Sequence, residues 1–301
     1  MDIPHVSVLP QEIVDAFSTI DDGVIIDCTV GYGGHSELIL EAKPNIKMIC
    51  IDQDIEAIEF SKKRFEKYED RVSFYKGRFS DVICEIENLG EIRGVLADIG
   101  VSSLQLDKEE RGFGFSSSSL DMRMDQNQSL SAKEVVNEYK KENLEYILKE
   151  YGEVREWRRV ASLIVEERPF ESSFSLAEFL SKHLYSKKLH PATLVFQAIR
   201  IEVNDELGEL KRLLDSIRKL NIHKSTIAII SFHSLEDRVV KTTFKDWSKD
   251  CICPKGVLRC ACGNNHSFGM VVTKKPIIPT KKEIYENPRS RSSKLRIFRV
   301  K

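Results

Sequence analysis

From Val24 to Ser36 an apolar run, VIIDC, passes straight into a glycine-rich turn, TVGYGGHS. Few folds accommodate a strand that ends in such a turn and opens a helix, because only glycine takes up the backbone angles and permits close approach of a ligand. The pattern then repeats. MICID (48–52), VSFYKG (72–77) and GVLADIG (94–100) are further strand candidates. Between them, helices are expected from about His35 to Ala42, Ile55 to Tyr68 and Val82 to Leu89. Continuous apolar strands spaced by helices indicate a parallel sheet covered on both faces, hence a doubly wound α/β domain.

After Asp98 the pattern changes. RGFGFSSSSLDMRMD (111–125) reads as an ordered polar loop, and from Ser131 to about Lys219 nearly everything is helical, with TLVFQAIRIEVNDELGELKRLLDSIRKL as one run. SLS before AKE supplies N-cap candidates, and Gly152 ends a helix. Strand character returns at STIAIISF (225–232), followed by the helix LEDRVVKTTFKDW, and GMVVTKKP and SKLRIFRVK form an antiparallel extension. The expected organisation is one α/β domain from 1–106 and 216–301, interrupted by an all-helical insert at 107–215.

With 41% hydrophobic and 31% charged residues in 301, the chain is globular in composition. No apolar run approaches the roughly 18 residues that span a bilayer, and the N-terminus does not read as a signal peptide, so a cytoplasmic location without membrane contact is expected. The net charge of −1 conceals an asymmetry: Met270–Lys301 carries ten Lys or Arg against two Glu. Such a local field either attracts a phosphate backbone or is simply a solvated C-terminal face.

Two carboxylates sharpen the reading of the glycine turn. Asp52 ends the second strand, where an acid accepts the hydroxyls of a ribose, and Asp98 ends the fourth, at the rim where α/β sheets hold ligands. For each, the ordinary alternative is a helix cap or an ion pair. A dinucleotide site expects G-x-G-x-x-G, but here Gly31, Gly33 and Gly34 are followed by His35, Ser36 and Glu37. A pyrophosphate beside Glu37 meets a like charge. S-adenosylmethionine, whose corresponding end is an amino acid, suits the loop better than a nicotinamide dinucleotide.

The strings GYGGHS, IDQD, LADIGVSSLQLD, RGFGF, LDMRMD, HPATLVFQAIRIEVNDEL, ISFHSLEDR and ENPRSRSSKLR follow one another along nearly the whole chain. Together they closely resemble the MraW/RsmH family, bacterial methyltransferases that modify N4 of a cytidine in the decoding centre of small-subunit ribosomal RNA. The resemblance implies a class I (Rossmann-like), seven-stranded methyltransferase sheet with an inserted helical domain. It implies cofactor contacts at Gly33, Gly34, His35, Asp52, Phe79, Asp98 and Gln105; the Phe79 ring, just after the third strand, either flanks the adenine or is an ordinary core aromatic. It also implies a ribosomal RNA partner, free or within the assembled subunit, and a homodimer. Leu194 and Val154 depart from the family, which mostly has a basic and an acidic residue there; both fall in the insert expected to meet RNA.

Methylating an exocyclic amine requires hydrogen-bond acceptors beside the methyl donor, and Asp98 with the carbonyls of Ile99 and Gly100 are the candidates. The Asp-Ile-Gly-Val segment lacks the aromatic residue common at this place in other amine methyltransferases, so stacking falls to Phe113, Phe115 or Phe232. His233 is either a proton acceptor or a structural histidine at a strand end. Arg123, Arg200, Arg238, Arg289, Arg291 and Lys294 are candidate RNA contacts. Two competing functions are a nicotinamide-dependent oxidoreductase and a non-catalytic RNA-binding protein on the same fold.

Cys28, Cys50 and Cys84 sit in apolar contexts and read as packed thiols. Cys251, Cys253, Cys260 and Cys262 form a separate cluster, C-x-C-x₆-C-x-C. Four thiolates suit structural zinc or an iron–sulfur cluster, free thiols being the alternative.

Overall fold

Each of the first five strands is followed by a chain return that keeps the next strand parallel, and the computed structural model shows the resulting sheet directly. It describes residues 7–86, 90–185, 190–220, 222–254, 256–257 and 259–301. Two compact units emerge: residues 1–100 with 209–301, and residues 101–208. The expected divisions at 106/107 and 215/216 lie a few residues later in both places.

In the first unit the elements run α1 (Pro10–Ala16), β1 (Gly23–Asp27), α2 (Gly34–Ala42), β2 (Ile46–Asp52), α3 (Ile55–Arg64), β3 (Val72–Lys76), α4 (Phe79–Glu85) and β4 (Ile92–Asp98). The helix expected to reach Tyr68 stops at Arg64, and a 3₁₀ turn spans Glu66–Arg71. The one expected over 82–89 instead starts at Phe79, and residues 87–89 lie outside the described residues.

The second unit carries α5 (Ser103–Asp107), α6 (Ala132–Glu138), α7 (Lys141–Glu150), α8 (Trp157–Glu167), α9 (Ser173–His183) and α10 (Thr193–Asn204). Ser131 caps α6 in a reciprocal capping box with Glu134. The loop at 111–125 is ordered by the buried Arg111 guanidinium, which donates to the carbonyls of Arg123 at 3.1 Å and Met124 at 3.0 Å. The long run from Thr193 is two helices, because Asp205 adopts a left-handed conformation (φ 50°) and separates α10 from α11 (Glu206–Lys219).

The chain returns to the first unit within α11 and continues as β5 (Thr226–Ser231), α12 (Ser234–Trp247), β6 (Gly269–Val271), α13 (Lys281–Glu286) and β7 (Lys294–Val300). The sheet order is β3-β2-β1-β4-β5-β7-β6, with β1 to β5 parallel and β7 antiparallel to both β5 and β6. This is the class I methyltransferase arrangement expected.

Central strands are buried on both faces, which is why they read as unbroken apolar runs. On one face Ile25, Met48, Cys50, Leu96 and Ile230 pack with Ile13, Phe17, Ile39 and Phe65; on the other, Ile26, Cys28, Val95 and Ile229 pack with Leu210, Leu213, Val240 and Phe244. Cys28 and Cys50 are thus packed thiols, as expected. The Cys84 side chain lies outside the described residues.

Candidate active site

Strand order reverses between β1 and β4, and at such a switch point the loops leave in opposite directions and open a crevice at the carboxyl ends of the strands. The glycine turn rises there from β1, flanked by Asp52 at the end of β2 and Asp98 at the end of β4.

The turn is held by a carboxylate beneath it. Asp27 is buried and accepts hydrogen bonds from Ser36 Oγ at 2.6 Å and the Thr29 amide at 3.1 Å. Thr29 Oγ1 in turn accepts from the Asp98 amide at 2.7 Å, tying the β1 and β4 loops together. Burial raises the Asp27 carboxyl to about 6 in spite of these bonds. Sequence reasoning used Asp27 only to mark where the loop begins. The signal was an acid ending a strand with a serine one helical turn into the next element.

Gly31 and Gly33 have φ of 50° and 76°, the left-handed region that favours glycine. The expected reason for their smallness needs correcting for Gly33 and Gly34. A Cβ on Gly33 meets Phe65 Cζ at 2.4 Å, and one on Gly34 meets Ser7 Oγ at 2.0 Å, so the close approach is to the chain itself. The argument from Glu37 also changes. Its carboxylate pairs with Arg64 at 2.6 Å and Lys67 at 3.2 Å, so its charge is compensated and does not by itself repel a pyrophosphate.

Asp52 Oδ2 accepts the Gly31 amide and Oδ1 the Asp54 amide, both at 2.9 Å. Burial raises its carboxyl to about 6. Each oxygen keeps a second acceptor position, the requirement for gripping a diol. Phe79 opens α4, immediately beyond β3, and packs partly buried on the face lined by Ile51 and Val82.

Asp98 is strongly perturbed. Burial, then the charges of Asp27 and Glu236, raise its carboxyl to about 8. Oδ1 is buried with no hydrogen-bond partner among the described residues, and Oδ2 lies 3.7 Å from Nδ1 of His35. His35 is anchored through Nε2, 2.7 Å from the Val8 carbonyl. A buried carboxyl oxygen without a partner fits a site that a polar ligand completes.

Beyond β5, His233 caps α12: Nδ1 accepts the Glu236 amide at 3.4 Å, and Nε2 lies 3.1 Å from Glu236 Oε1. Glu236 is fully buried and accepts the amides of Phe232 at 2.8 Å and His233 at 3.2 Å. Sequence reasoning missed Glu236, although S-L-E after a strand is the third-position acid of a capping box. Phe232 stands beside Gly100, where a Cβ would meet its ring at 3.3 Å. A cleft lined by Phe232, His233, Ile278, Arg291, Ser293 and Lys294 opens next to this helix start.

The remaining expected residues divide between the units. Gln105 belongs to the second unit, on α5, buried, with Oε1 accepting the Ser102 amide at 3.0 Å. Phe113 is buried in that unit's core, and Phe115 stacks on His190 at 4.2 Å. Val154 is buried there too, which accounts for an apolar residue at that place. Arg123 is paired with Asp121 and Arg200 with Glu206, both at 2.7 Å, so neither guanidinium is a solvated cation. In the basic tail Arg296 is buried against Asp237 at 2.6 Å.

The four clustered cysteines converge. Their Sγ atoms all lie within 4.8 Å of one another. Amides of Ile252 and Asn264 lower the Cys262 thiol to about 6, whereas Cys251, close to three other sulfurs that outweigh the Cys253 amide, is raised to about 11.

Among the described residues no helix is long and apolar enough to cross a membrane. A model of the MraW methylase family matches residues 2–301. Similar proteins include ribosomal RNA small subunit methyltransferase H of Aliarcobacter butzleri, 64% identical over 299 residues and 99% of each chain. Proteins of the same name from Sulfurimonas denitrificans (57% identical, 99% of each chain) and Nitratiruptor sp. (54% identical, 100% of each chain) match over their full lengths as well.

Proposed function

The chain belongs to the MraW methylase family, and on that premise we propose that it transfers a methyl group from S-adenosylmethionine to N4 of a cytidine in the decoding centre of small-subunit ribosomal RNA. The observation that carries the reading is the buried Oδ1 of Asp98 at the switch point of the sheet, without a hydrogen-bond partner among the described residues.

When bound, S-adenosylmethionine supplies a methyl group on a sulfonium cation. Gly33, Gly34 and His35 would line its amino-acid end, Asp52 its ribose and Phe79 its adenine, with Asp98 completing the set. The residues fit: Asp52 has acceptor positions left on both oxygens, and the turn has the glycines its φ values require.

The amine of cytosine is a weak nucleophile because its lone pair is delocalised into the ring. Accepting a hydrogen bond from the N–H lets nitrogen pyramidalise, and alignment supplies much of the acceleration. Asp98 Oδ1 is that acceptor, with the Ile99 and Gly100 carbonyls next to it in sequence. The carboxyl is raised to about 8, so a neighbouring cation is needed to keep it ionised at neutral pH. Methylation leaves a cationic nitrogen whose extra proton passes to Asp98 or to water. His233 acts in this reading by shaping the start of α12, its Nδ1 being engaged in the cap.

RNA backbone would lie along the cleft at Phe232, Arg291 and Lys294, where two cations and an aromatic edge meet. The test is transfer of radiolabelled methyl from S-adenosylmethionine to small-subunit rRNA, offered free and as assembled subunits, with the product nucleoside read by mass spectrometry. N4-methylcytidine in either acceptor is expected. Labelling of another nucleoside only, or thermal stabilisation by NAD and not by S-adenosylmethionine, overturns the proposal.

A further inference from the structure

Phe268 packs on Trp247 and Phe298 at the foot of the segment between α12 and β6, but from Lys249 to His266 no described residue is buried. Among the described residues none between Phe244 and Gly269 is buried, and Ile252 and Val257 are exposed. Beyond its foot, the described part of the loop thus buries no hydrophobic side chain that would hold it in one shape. Yet four sulfurs meet in it. Cys251 Sγ lies 3.7 Å from Cys260 Sγ and 3.8 Å from Cys262 Sγ, and Cys260 and Cys262 are 3.5 Å apart.

We propose that Cys251, Cys253, Cys260 and Cys262 bind a single zinc ion in a closed, four-thiolate structural site. With Zn–S bonds of about 2.3 Å, the sulfurs of a regular tetrahedron are separated by about 3.8 Å, which the three separations match. Disulfides need about 2.05 Å and are excluded by the same distances. Hard cations such as magnesium or calcium take oxygen ligands, and the cluster offers none. A four-sulfur set leaves no open position for a substrate, so the ion's role is to fold the loop.

The surroundings support ligation in two further ways. The Ile252 amide points to Cys262 Sγ and the Ala261 amide to Cys253 Sγ, each at 3.4 Å, the amide-to-sulfur contacts that steady metal-bound thiolates. The base of the loop is pinned: the His266 amide donates to Asp250 O at 3.0 Å and the Phe268 amide to Trp247 O at 2.7 Å. The loop thus has an anchored base, and among its described residues the tip converges only on the four sulfurs. Binding releases the thiol protons and leaves a site of net charge −2.

The test is metal analysis of the full-length protein purified anaerobically from zinc-supplied cells. About one zinc per chain is expected, falling to near zero in Cys251→Ser/Cys260→Ser. Cobalt replacement should give the red ligand-field bands and near-ultraviolet charge transfer of a tetrahedral thiolate site. Because the described part of the loop beyond its foot buries no hydrophobic side chain, the double variant should keep its far-ultraviolet circular dichroism. If it fails to fold, alkylation of the wild-type protein decides, with these four thiols protected until a chelator is added. A metal ratio near zero after reconstitution with zinc under reducing conditions, iron in place of zinc, or thiols equally reactive with and without chelator overturns the proposal.

Discussion

Oδ2 of Asp98 stands 3.7 Å from Nδ1 of His35, while the opposite nitrogen of that ring is fixed 2.7 Å from the Val8 carbonyl. The carbonyl can only accept, so Nε2 carries a proton, and in the neutral ring Nδ1 is the acceptor. The pair is therefore poised about a carboxyl raised to about 8 by burial and by the charges of Asp27 and Glu236.

Stability of the ligand-free protein should reflect this. Between the ordinary aspartate value and about 8, the folded chain retains a proton on Asp98 that the unfolded chain has released, so stability falls as pH rises through that window. Asp27 and Asp52, both raised to about 6, act in the same direction over a narrower range. Asp98→Asn removes the largest of these costs. Its Tm should decline less steeply than wild type between pH 5 and 8, while methyl transfer drops by at least about a hundredfold. A parallel pair of Tm curves, or turnover near wild type, would remove Asp98 from this role.

Cofactor binding should carry the opposite pH signature. A sulfonium next to Asp98 favours the carboxylate, so binding of S-adenosylmethionine to the ligand-free protein should release a proton below about pH 8 and tighten as pH rises. S-adenosylhomocysteine has no charge at sulfur and should show little of either effect. Calorimetry of both ligands in two buffers of different ionisation enthalpy measures the proton release. Equal release by the two ligands would sink the charge argument.

Much of this was legible in the chain. β1, β2, β4 and β5 could be read because burial on both faces leaves unbroken apolar runs, and Asp52 and Asp98 because strand ends are where such sheets hold ligands. What could not be read depends on contacts far apart in sequence. Nothing near Gly33 announces Phe65, nothing near His35 announces Val8, and Arg296 gives no local sign that Asp237 takes it out of the basic tail. The break at Asp205 had a local sign in the poor helix formers Asn204, Asp205 and Gly208, but the apolar periodicity running through both helices masked it. The Cys251–Cys262 spacing suggested a ligand set, but only the fold brings the second pair onto the first.

Arg291 and Lys294 should contribute to RNA affinity without touching the cofactor. Replacing both with glutamate is expected to weaken binding of small-subunit rRNA at least tenfold and to flatten its dependence on salt, since fewer counterions are released. The thermal shift with S-adenosylmethionine should stay at the wild-type value. An unchanged salt slope in filter-binding measurements would place the backbone elsewhere.

Gly33 tests whether the turn is shaped by its own packing. Gly33→Ala places a methyl group 2.4 Å from Phe65 Cζ at a φ of 76°, so strain and overpacking act together. A destabilisation of about 2–4 kcal/mol is expected, combining a left-handed non-glycine residue with a crowded core. Phe65→Leu alone costs stability by opening space, because Phe65 is 1% exposed and stacks at 5.9 Å on Phe74. In the double variant the missing ring tip makes room for the new methyl group. Its loss should therefore fall short of the sum of the two single losses by about 1 kcal/mol or more, read from urea unfolding at matched m-values. Strict additivity would mean that the Phe65 ring does not set the requirement for glycine, and that φ alone does.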